Sequence, residues 1–276
     1  MKISPSLDWQ VLNRIKCECS SDFLHRPLSP VGAAKAVGIT VWKNHDQENE
    51  ERLPRVWDLL EDKFVYDHSV RDTVFITHRW DTHNGEIEHV NISSKAKDIS
   101  QESKKLERIK RVLEKHSRYV WIDTICIDKT NLSELDRTIR SMYNWYADCK
   151  AVVLDSGTLL KTWRERGWCL QEGAAAGVLY GMYNDELVSI QDLASKQKMT
   201  LCQLDLSLYY RPGNAAEILT RMKRRKTTQI EDMAYALTGI FSIHMTLAYG
   251  ERQKALQRLL YELASQKGDL SCLSFA

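Results

Sequence analysis

The run Thr73-Val-Phe-Ile-Thr77 is the stretch of sequence that decides the fold class. It is short and rich in β-branched and aromatic residues, a composition typical of a buried strand. Comparable runs follow at Tyr119–Ile122 and Ala151–Leu154, and a weaker one at Leu187–Ile190. Helical patterns separate these runs, and this alternation predicts an α/β protein whose parallel sheet is covered by helices on both faces.

Helices are predicted where apolar residues recur every three or four positions. Between and after the predicted strands, this pattern covers Ile99–His116, Leu135–Tyr146 and Trp163–Val178. From Asn214 onward the sequence is almost wholly helical, in the segments Asn214–Lys223, Ile230–Phe241 and Glu251–Gln266.

The predicted elements divide the chain into three parts of a single domain. Residues 1–70 hold most of the prolines and are expected to form an irregular N-terminal lobe, with a short helix over Val56–Phe64. Residues 71–190 are expected to form the α/β core, and residues 191–276 a helical C-terminal lobe. A length of 276 residues suits one large domain with added lobes.

Composition and charge exclude several classes of protein. Lys and Arg number 39 against 37 Asp and Glu, a net charge of +2 that argues against a dedicated nucleic-acid binder. No apolar run approaches the roughly 18 residues that span a bilayer, and Met1–Ser20 does not resemble a secretory signal. The 7 cysteines lack CxxC spacing and fit free thiols, so we expect a cytoplasmic protein.

The glycines give no sign of a common nucleotide-binding loop. There are only 12 of them, and they never form GxGxxG or GxxxxGK. A nucleotide would therefore have to be bound by another route.

Polar segments follow each of the three main predicted strands, and parallel sheets bind ligands outside the carboxyl ends of their strands. The segments are His78–Asp81, Asp123–Lys129 and Arg164–Glu172. Trp168 and Glu172 are four residues apart, so on a helix they share one face. A carboxylate beside an indole would suit ligand binding, although an amphipathic helix with a solvated Glu172 is the commoner explanation of this spacing.

Three weaker constellations have simpler explanations. The first comprises His78, Asp81, His83, Glu86, Glu88 and His89. Its spacing matches no standard metal site and suits a polar surface loop, so no metal is expected. Cys126 or Cys169 with His78 lacks the local signature of a nucleophile and its base. The basic run Arg221–Lys226 is expected to be a solvated helix end rather than a phosphate site.

Several segments resemble, in order, the signature blocks of the fungal heterokaryon-incompatibility (HET) domain. The blocks are Val74–Trp80, Tyr119–Lys129, Arg166–Glu172, Arg225–Phe241, and Tyr249–Glu251 with Ala255–Leu260. Together they span roughly residues 73 to 276. The resemblance implies a protein that triggers cell death when non-self is sensed.

The core also resembles the Toll/interleukin-1 receptor (TIR) domain. Asp72–Thr77 is similar to its first strand, and Trp168-Cys-Leu-Gln-Glu172 matches a Trp-Cys-Leu-x-Glu motif on a later helix. This resemblance implies a flavodoxin-like sheet. In catalytic TIR domains the glutamate supports cleavage of NAD, so Glu172 is implied as the catalytic residue, with NAD as substrate rather than cofactor.

Residues at the strand ends are expected to bind NAD around Glu172. Trp168 would stack on an aromatic ring or exclude water, and Arg79 would pair with the pyrophosphate. Trp80 would form the far side of the pocket. Asp123 is a candidate for a ribose or for a structural cap, and His78 is as readily a packing residue as a ligand.

Two functions follow from these resemblances. The first is an NAD glycohydrolase that acts as a cell-death effector, is activated by self-association and responds to an upstream sensor or receptor module. The second is a non-enzymatic adaptor that recruits partners through homotypic contacts. The retained pair of Trp168 and Glu172, which an adaptor need not keep, favours the first.

Overall fold

A computed structural model describes residues 51–80, 104–200 and 214–275, and within them seven strands form one mixed sheet. In chain order the strands are β1 (Arg52–Asp58), β2 (Lys63–Ser69), β3 (Val74–Thr77), β4 (Tyr119–Trp121), β5 (Ala151–Leu154), β6 (Leu179–Tyr183) and β7 (Glu186–Ser189). Their order across the sheet is β2-β1-β4-β3-β5-β6-β7. The central strands β4, β3, β5 and β6 run parallel, and antiparallel strands extend the sheet on each side.

The parallel centre confirms the predicted α/β fold class. Counted along the chain, the first parallel strand (β3) lies between the second (β4) and the third (β5), and the fourth (β6) follows. This is the order of flavodoxin-like sheets, which bind ligands outside the carboxyl strand ends where the strand order reverses. Every residue of β3 and β5 is buried, because helices pack against the sheet.

Nine helices accompany the sheet in the described ranges. They are α1 (Lys104–Leu113), α2 (Asp123–Cys126), α3 (Leu132–Asp148), α4 (Leu160–Trp163), α5 (Gly167–Ala175), α6 (Ile190–Lys196), α7 (Ala215–Lys223), α8 (Asp232–Phe241) and α9 (Lys254–Lys267), followed by a 3₁₀ helix (Leu270–Phe275). Helices α1, α3, α7, α8 and α9 confirm the corresponding predictions, although residues 99–103 of the first lie outside the described residues. Among the described helices, none has the length and apolar character that crossing a membrane requires.

The helix predicted over Val56–Phe64 is wrong, because these residues lie in the hairpin of β1 and β2. The turn between the strands is made by residues 59–62, with Asp62 in the left-handed region at φ 48°. Trp57 of β1 pairs with Val120 of β4, so the hairpin continues the central sheet. Residues 52–69, which we assigned to an irregular lobe, are thus part of the sheet, whereas residues 1–50 lie outside the described residues.

The helix predicted over Trp163–Val178 is divided and shorter. The break covers residues 164–166, and Gly167, the first residue of α5, donates its backbone N–H to the carbonyl of Lys226. A Cβ on Gly167 would lie 2.4 Å from the Thr227 side chain, so the glycine allows this close approach. The next segment is strand β6, which sequence analysis missed, while the predicted strand at Leu187–Ile190 is found as β7, one residue earlier.

The C-terminal helices pack on the core through a shared apolar cluster. Leu170 of α5 and Ile139 of α3 lie in one cluster with Leu219, Leu237 and Leu259 of α7, α8 and α9. Helix α5 therefore lies between the sheet and the C-terminal helices, and its polar residues can contact both.

Candidate functional site

The site is built around Glu172, on helix α5, where it meets the carboxyl end of strand β3. The Glu172 residue is only 6% exposed, so the alternative of a solvated carboxylate is wrong. Its Oε2 accepts a hydrogen bond from the hydroxyl of Thr77, the last residue of β3. The same hydroxyl accepts the indole N–H of Trp163 at 2.7 Å.

Burial raises the pKa of Glu172 above its ordinary value, and the nearby charge of Asp123 raises it further. The charges of Arg166 and His78 and the Thr77 hydrogen bond act in the opposite direction without cancelling the shift. A carboxylate in this environment holds its proton more tightly than a solvated one, and is a stronger base when ionised.

Asp123 is the second carboxylate of the site, at the carboxyl end of β4, where helix α2 begins. Its Oδ2 accepts the indole N–H of Trp80 at 2.9 Å, and its Oδ1 accepts the backbone N–H of Thr124 at 2.8 Å. Nε2 of His78 lies 3.6 Å from Oδ1. Asp123, the first residue of α2, thus contacts the backbone of its own helix and also two predicted site residues.

The pKa of Asp123 is shifted in the opposite direction to that of Glu172. Burial raises it, but the positive charges of His78, Arg166 and Lys129, with the Trp80 hydrogen bond, lower it below its ordinary value overall. Neighbouring carboxylates whose pKa values move apart are typical of sites in which one group is held ionised and the other can exchange a proton.

Trp80 contacts cations as well as Asp123. Nζ of Lys129 lies 3.6 Å from the centroid of its ring, and Cζ of Arg166 lies 5.4 Å from it. We predicted that Trp80 would form the far side of a pocket. In the structure its ring contacts two cations that sequence analysis did not assign to the site.

Arg166 links the β3 end to helix α5 and was missed as a site residue. Its Nη1 donates to the carbonyl of His78 at 2.7 Å, and its own carbonyl accepts from Nη1 of Arg225 at 2.9 Å. Arg225 is only 5% exposed, and Arg221 pairs with Glu217 at 2.6 Å. These two members of the basic run Arg221–Lys226 therefore have contacts within the fold, rather than being solvated as predicted.

Trp168 is half-buried, and a residue of the C-terminal lobe contacts its indole. Asp232, at the start of α8, accepts a hydrogen bond from the hydroxyl of Tyr249 at 2.9 Å, and it lies close enough to the Trp168 indole for the indole to lower the pKa of its carboxyl group. Burial raises the pKa of Asp232, and these two side chains oppose the rise. Sequence analysis missed Asp232 because its contacts come from distant segments.

Arg79 is exposed, unlike His78 beside it. Its backbone N–H donates to Oγ1 of Thr158 at 3.0 Å, which fixes the loop after β3. The carboxylate at the end of β5, Asp155, forms a two-pronged pair with Arg108 at 2.7–3.0 Å. That carboxylate therefore ties α1 to the sheet.

The weaker constellations gain no support. Asp81, His83, Glu86, Glu88 and His89 lie outside the described residues. Within the described ranges, no group of histidine, cysteine, aspartate or glutamate side chains is arranged to hold a metal ion. Burial raises the pKa of Cys126 to about 12 and that of Cys169 well above its ordinary value, which argues against either thiol as a nucleophile.

Two surface pockets lie away from Glu172. One, of about 330 Å³, is lined by α9 residues that include Tyr261. The other, of about 540 Å³, lies beside Leu159 and Lys198. Neither includes a residue of the Glu172 cluster.

Comparison with known proteins identifies relatives of this chain. The model of the family described as "Heterokaryon incompatibility protein (HET)" matches residues 74–161, which include the ends of β3 and β4 and stop before Glu172. The chain is 34% identical over 181 residues to the vegetative incompatibility protein HET-E-1 of Podospora anserina. That match covers 56% of this chain and 13% of the relative, so the chain corresponds to a small part of the relative's length. No solved structure matches the chain significantly.

Proposed function

We propose that this chain, which matches the heterokaryon-incompatibility (HET) family model over residues 74–161, is a cell-death effector of incompatibility that cleaves the bond between nicotinamide and ribose in NAD. The observation that carries the proposal is the buried Glu172, held by Thr77 at the carboxyl end of the first parallel strand. Flavodoxin-like sheets bind their ligands at this edge. The type of reaction is taken from the resemblance of Trp168–Glu172 to the motif of catalytic TIR domains.

One carboxylate is sufficient for this reaction. The nicotinamide of NAD is a cation, so when its bond to C1′ of the ribose breaks, the electron pair moves to the ring nitrogen and nicotinamide leaves neutral. Most glycoside hydrolases need a second carboxyl group to protonate a poorer leaving group. Water then adds to C1′ and loses a proton, giving nicotinamide, ADP-ribose and H⁺.

Ionised Glu172 stabilises the positive charge that develops on the ribose. Its raised pKa also makes it the stronger base for the attacking water. A cationic nicotinamide bound beside it favours the ionised form, because an opposite charge lowers the pKa of a carboxyl group. The substrate therefore promotes the ionisation state that its own cleavage requires.

Trp168 lies on α5 about one helical turn before Glu172 and offers an aromatic surface. It is half-buried, and its indole lies beside the carboxylate of Asp232, an interaction that favours one orientation of the ring. An oriented indole suits stacking on a nicotinamide or an adenine.

We also propose that self-association, triggered by an upstream sensor or receptor module in the cytoplasm, activates the enzyme. Glu172 is almost fully buried, and the two surface pockets described above do not reach it. Substrate can reach a carboxylate this buried only if the side chains around it move apart, and contacts between copies can supply the free energy for that movement.

Nicotinamide release from NAD tests the proposal. We expect the full chain to release nicotinamide when cross-linked or crowded, and Glu172→Gln to abolish release without unfolding the protein. Glu165→Gln is the matched control, because Glu165 lies on the same segment but is exposed. Equal release by wild type and Glu172→Gln would exclude Glu172 as the catalyst.

A non-enzymatic adaptor is the second candidate, and one observation favours it. A buried carboxylate hydrogen-bonded to Thr77 is also the arrangement of a purely structural residue. If no assembled form releases nicotinamide, while assembly and partner recruitment persist in Glu172→Gln, the adaptor function is supported instead.

A further inference from the structure

Lys129 and Arg166 both contact the ring of Trp80, at the carboxyl edge of strands β3 and β4. We propose that these two side chains form an anion-binding subsite for phosphate or pyrophosphate groups. Its use for the pyrophosphate of NAD rests on the proposed function, whereas anion binding itself does not.

The buried ammonium group of Lys129 is the main support for the subsite. It lies in the loop after α2, where Oδ1 of Asp128 accepts from the backbone N–H and hydroxyl of Thr130 at 2.9 and 2.6 Å and so shapes the loop. Its ammonium group is buried, and none of its N–H donors has a hydrogen-bond acceptor in the described ranges. An aromatic ring attracts a cation, but it does not replace three hydrogen bonds.

Asp123, the carboxylate whose pKa these cations lower, already accepts hydrogen bonds from other residues. Both oxygens of Asp123 accept hydrogen bonds, from Trp80 and from the Thr124 backbone, and His78 lies beside one of them. The charges of Lys129 and Arg166 influence Asp123 from a distance. Within the described part of the chain, neither cation forms an ion pair with a carboxylate oxygen within 4 Å.

Arg166 supplies a second cation that the fold already holds in position. One guanidinium nitrogen donates to the carbonyl of His78 at 2.7 Å, and Arg225 fixes the Arg166 backbone. A buried cation without an ion-pair contact is unfavourable, so an arriving anion gains a direct charge interaction and, at Lys129, unused hydrogen-bond donors. Phosphate oxygens suit such donors because each can accept several hydrogen bonds.

The subsite is adjacent to the carboxylate of the proposed reaction. Arg166 donates to the carbonyl of His78, and the hydroxyl of the preceding residue, Thr77, donates to Glu172, so the guanidinium and the carboxylate are attached to the same end of β3. A dinucleotide with its nicotinamide ribose at Glu172 would carry its pyrophosphate towards Arg166 and Lys129. These residues take the role that sequence analysis gave to the exposed Arg79.

Direct binding of inorganic pyrophosphate and of ADP to the full chain, both free and cross-linked as in the nicotinamide assay, tests the subsite by titration calorimetry. Lys129→Met keeps the length of the side chain but removes the charge, and we expect it to weaken both ligands about tenfold. Lys129→Arg should retain affinity within about threefold, because a guanidinium also binds phosphate. Lys161→Met, at an exposed lysine of α4, should bind like wild type.

Thermal unfolding of each variant shows whether it is folded. If Lys129→Met is unfolded, the predicted retention of affinity by Lys129→Arg still tests the proposal. Absence of pyrophosphate binding by wild type would overturn the proposal. Equal affinity of wild type and of folded Lys129→Met would also overturn it.

The binding assay is independent of turnover, so the two proposals can fail separately. Lys129-dependent pyrophosphate binding by a protein that never releases nicotinamide would refute the NAD glycohydrolase and leave the subsite standing. If nicotinamide is released, Lys129→Met should raise KM for NAD about tenfold with kcat within about twofold, as expected for a group that binds substrate and transition state equally. An unchanged KM would refute the use of the subsite by NAD.

Discussion

The hydroxyl of Thr77 donates a hydrogen bond to the carboxylate of Glu172 and thereby joins strand β3 to helix α5. Because the same oxygen accepts the Trp163 indole N–H, the hydroxyl proton is directed towards the carboxylate. This hydrogen bond opposes the rise that burial causes in the pKa of Glu172. Thr77 is therefore a positioning residue for the proposed catalyst.

Removal of this hydroxyl should weaken the fold. Thr77→Val keeps the shape of the side chain but leaves the Trp163 N–H and the Glu172 carboxylate without this partner, so we expect the free energy of unfolding to fall by about 1–3 kcal/mol. Urea denaturation measures the change. Thr77→Ser, which keeps the hydroxyl, should lose less, and equal losses in the two variants would contradict the role of the hydrogen bond.

Glu172 should make the protein less stable as the pH rises. Its pKa is raised above 4.5 in the folded state, so above that pH the unfolded chain loses the proton first. Since the folded state then binds more protons, the free energy of unfolding falls as the pH rises through the folded pKa. Glu172→Gln lacks this titration, so its stability relative to wild type should increase from about pH 4.5 upward and then level off.

Urea denaturation at a series of pH values measures this difference. The exposed Glu165→Gln should differ little from wild type across the same range. A stability difference between Glu172→Gln and wild type that is constant with pH, or that falls as the pH rises, would show that the pKa of Glu172 is not raised in the folded protein.

Asp232 should control the orientation of Trp168. Asp232→Asn keeps an acceptor for Tyr249 but replaces the carboxylate beside the Trp168 indole with an amide, whose N–H₂ cannot accept from the indole N–H. We expect nicotinamide release to fall about tenfold, mainly through KM. Tyr249→Phe is the matched control, since it removes the hydrogen bond from Tyr249 to the same carboxylate and should affect stability more than KM. The prediction fails if the two variants have the same kinetics.

Cys169 should be inert in the folded protein. Cys169 is fully buried, and the pKa of its thiol lies well above the ordinary value, so almost no thiolate is present near neutral pH. We expect iodoacetamide to leave Cys169 unlabelled until the protein unfolds, as read by peptide mass spectrometry. Nicotinamide release by Cys169→Ala should match that of wild type. Rapid labelling of the folded protein would contradict this assignment.

Three of the four parallel strands, β3, β4 and β5, were predictable because the apolar runs that form them are local features of the sequence, whereas β6 was missed. The hairpin was not predictable, because the spacing of Val56, Leu59 and Leu60 suits a helix. What decides against the helix is the pairing of Trp57 with Val120, a contact between distant segments. Long-range pairing commonly overrides local propensity in strands.

The sequence named some residues of the candidate site and missed others. Glu172 and Trp168 follow from a motif, and Asp123, His78 and Trp80 follow from their position after predicted strands. The roles of Thr77, Arg166 and Asp232 depend on contacts between segments far apart in the chain, such as the Thr77–Glu172 hydrogen bond and the Trp168–Asp232 contact. No pattern within one segment reports them.

Gly239, on helix α8, should test how closely the C-terminal lobe is packed against the core. A Cβ at this position would lie 2.3 Å from Cβ of Tyr143 on α3 and 2.9 Å from Oε1 of Gln171 on α5. Helix propensity alone predicts that Gly239→Ala stabilises the protein by up to about 1 kcal/mol. The steric overlap acts in the opposite direction, and forced overpacking typically destabilises by about 1–3 kcal/mol.

We expect the steric effect to prevail, because the overlap at Tyr143 is with a Cβ that cannot rotate away. Gly239→Ala should therefore lower the midpoint of urea denaturation, whereas the matched variant Gly177→Ala should not, since its Cβ would meet only the Ala147 carbonyl at 3.7 Å. If the lobe and the core unfold as one unit, both should lose structure in a single transition in Gly239→Ala. An unchanged or higher midpoint in Gly239→Ala would show that α8 is not held against α3 and α5 as closely as the structure has it, and would also remove the support for Asp232 as a partner of Trp168.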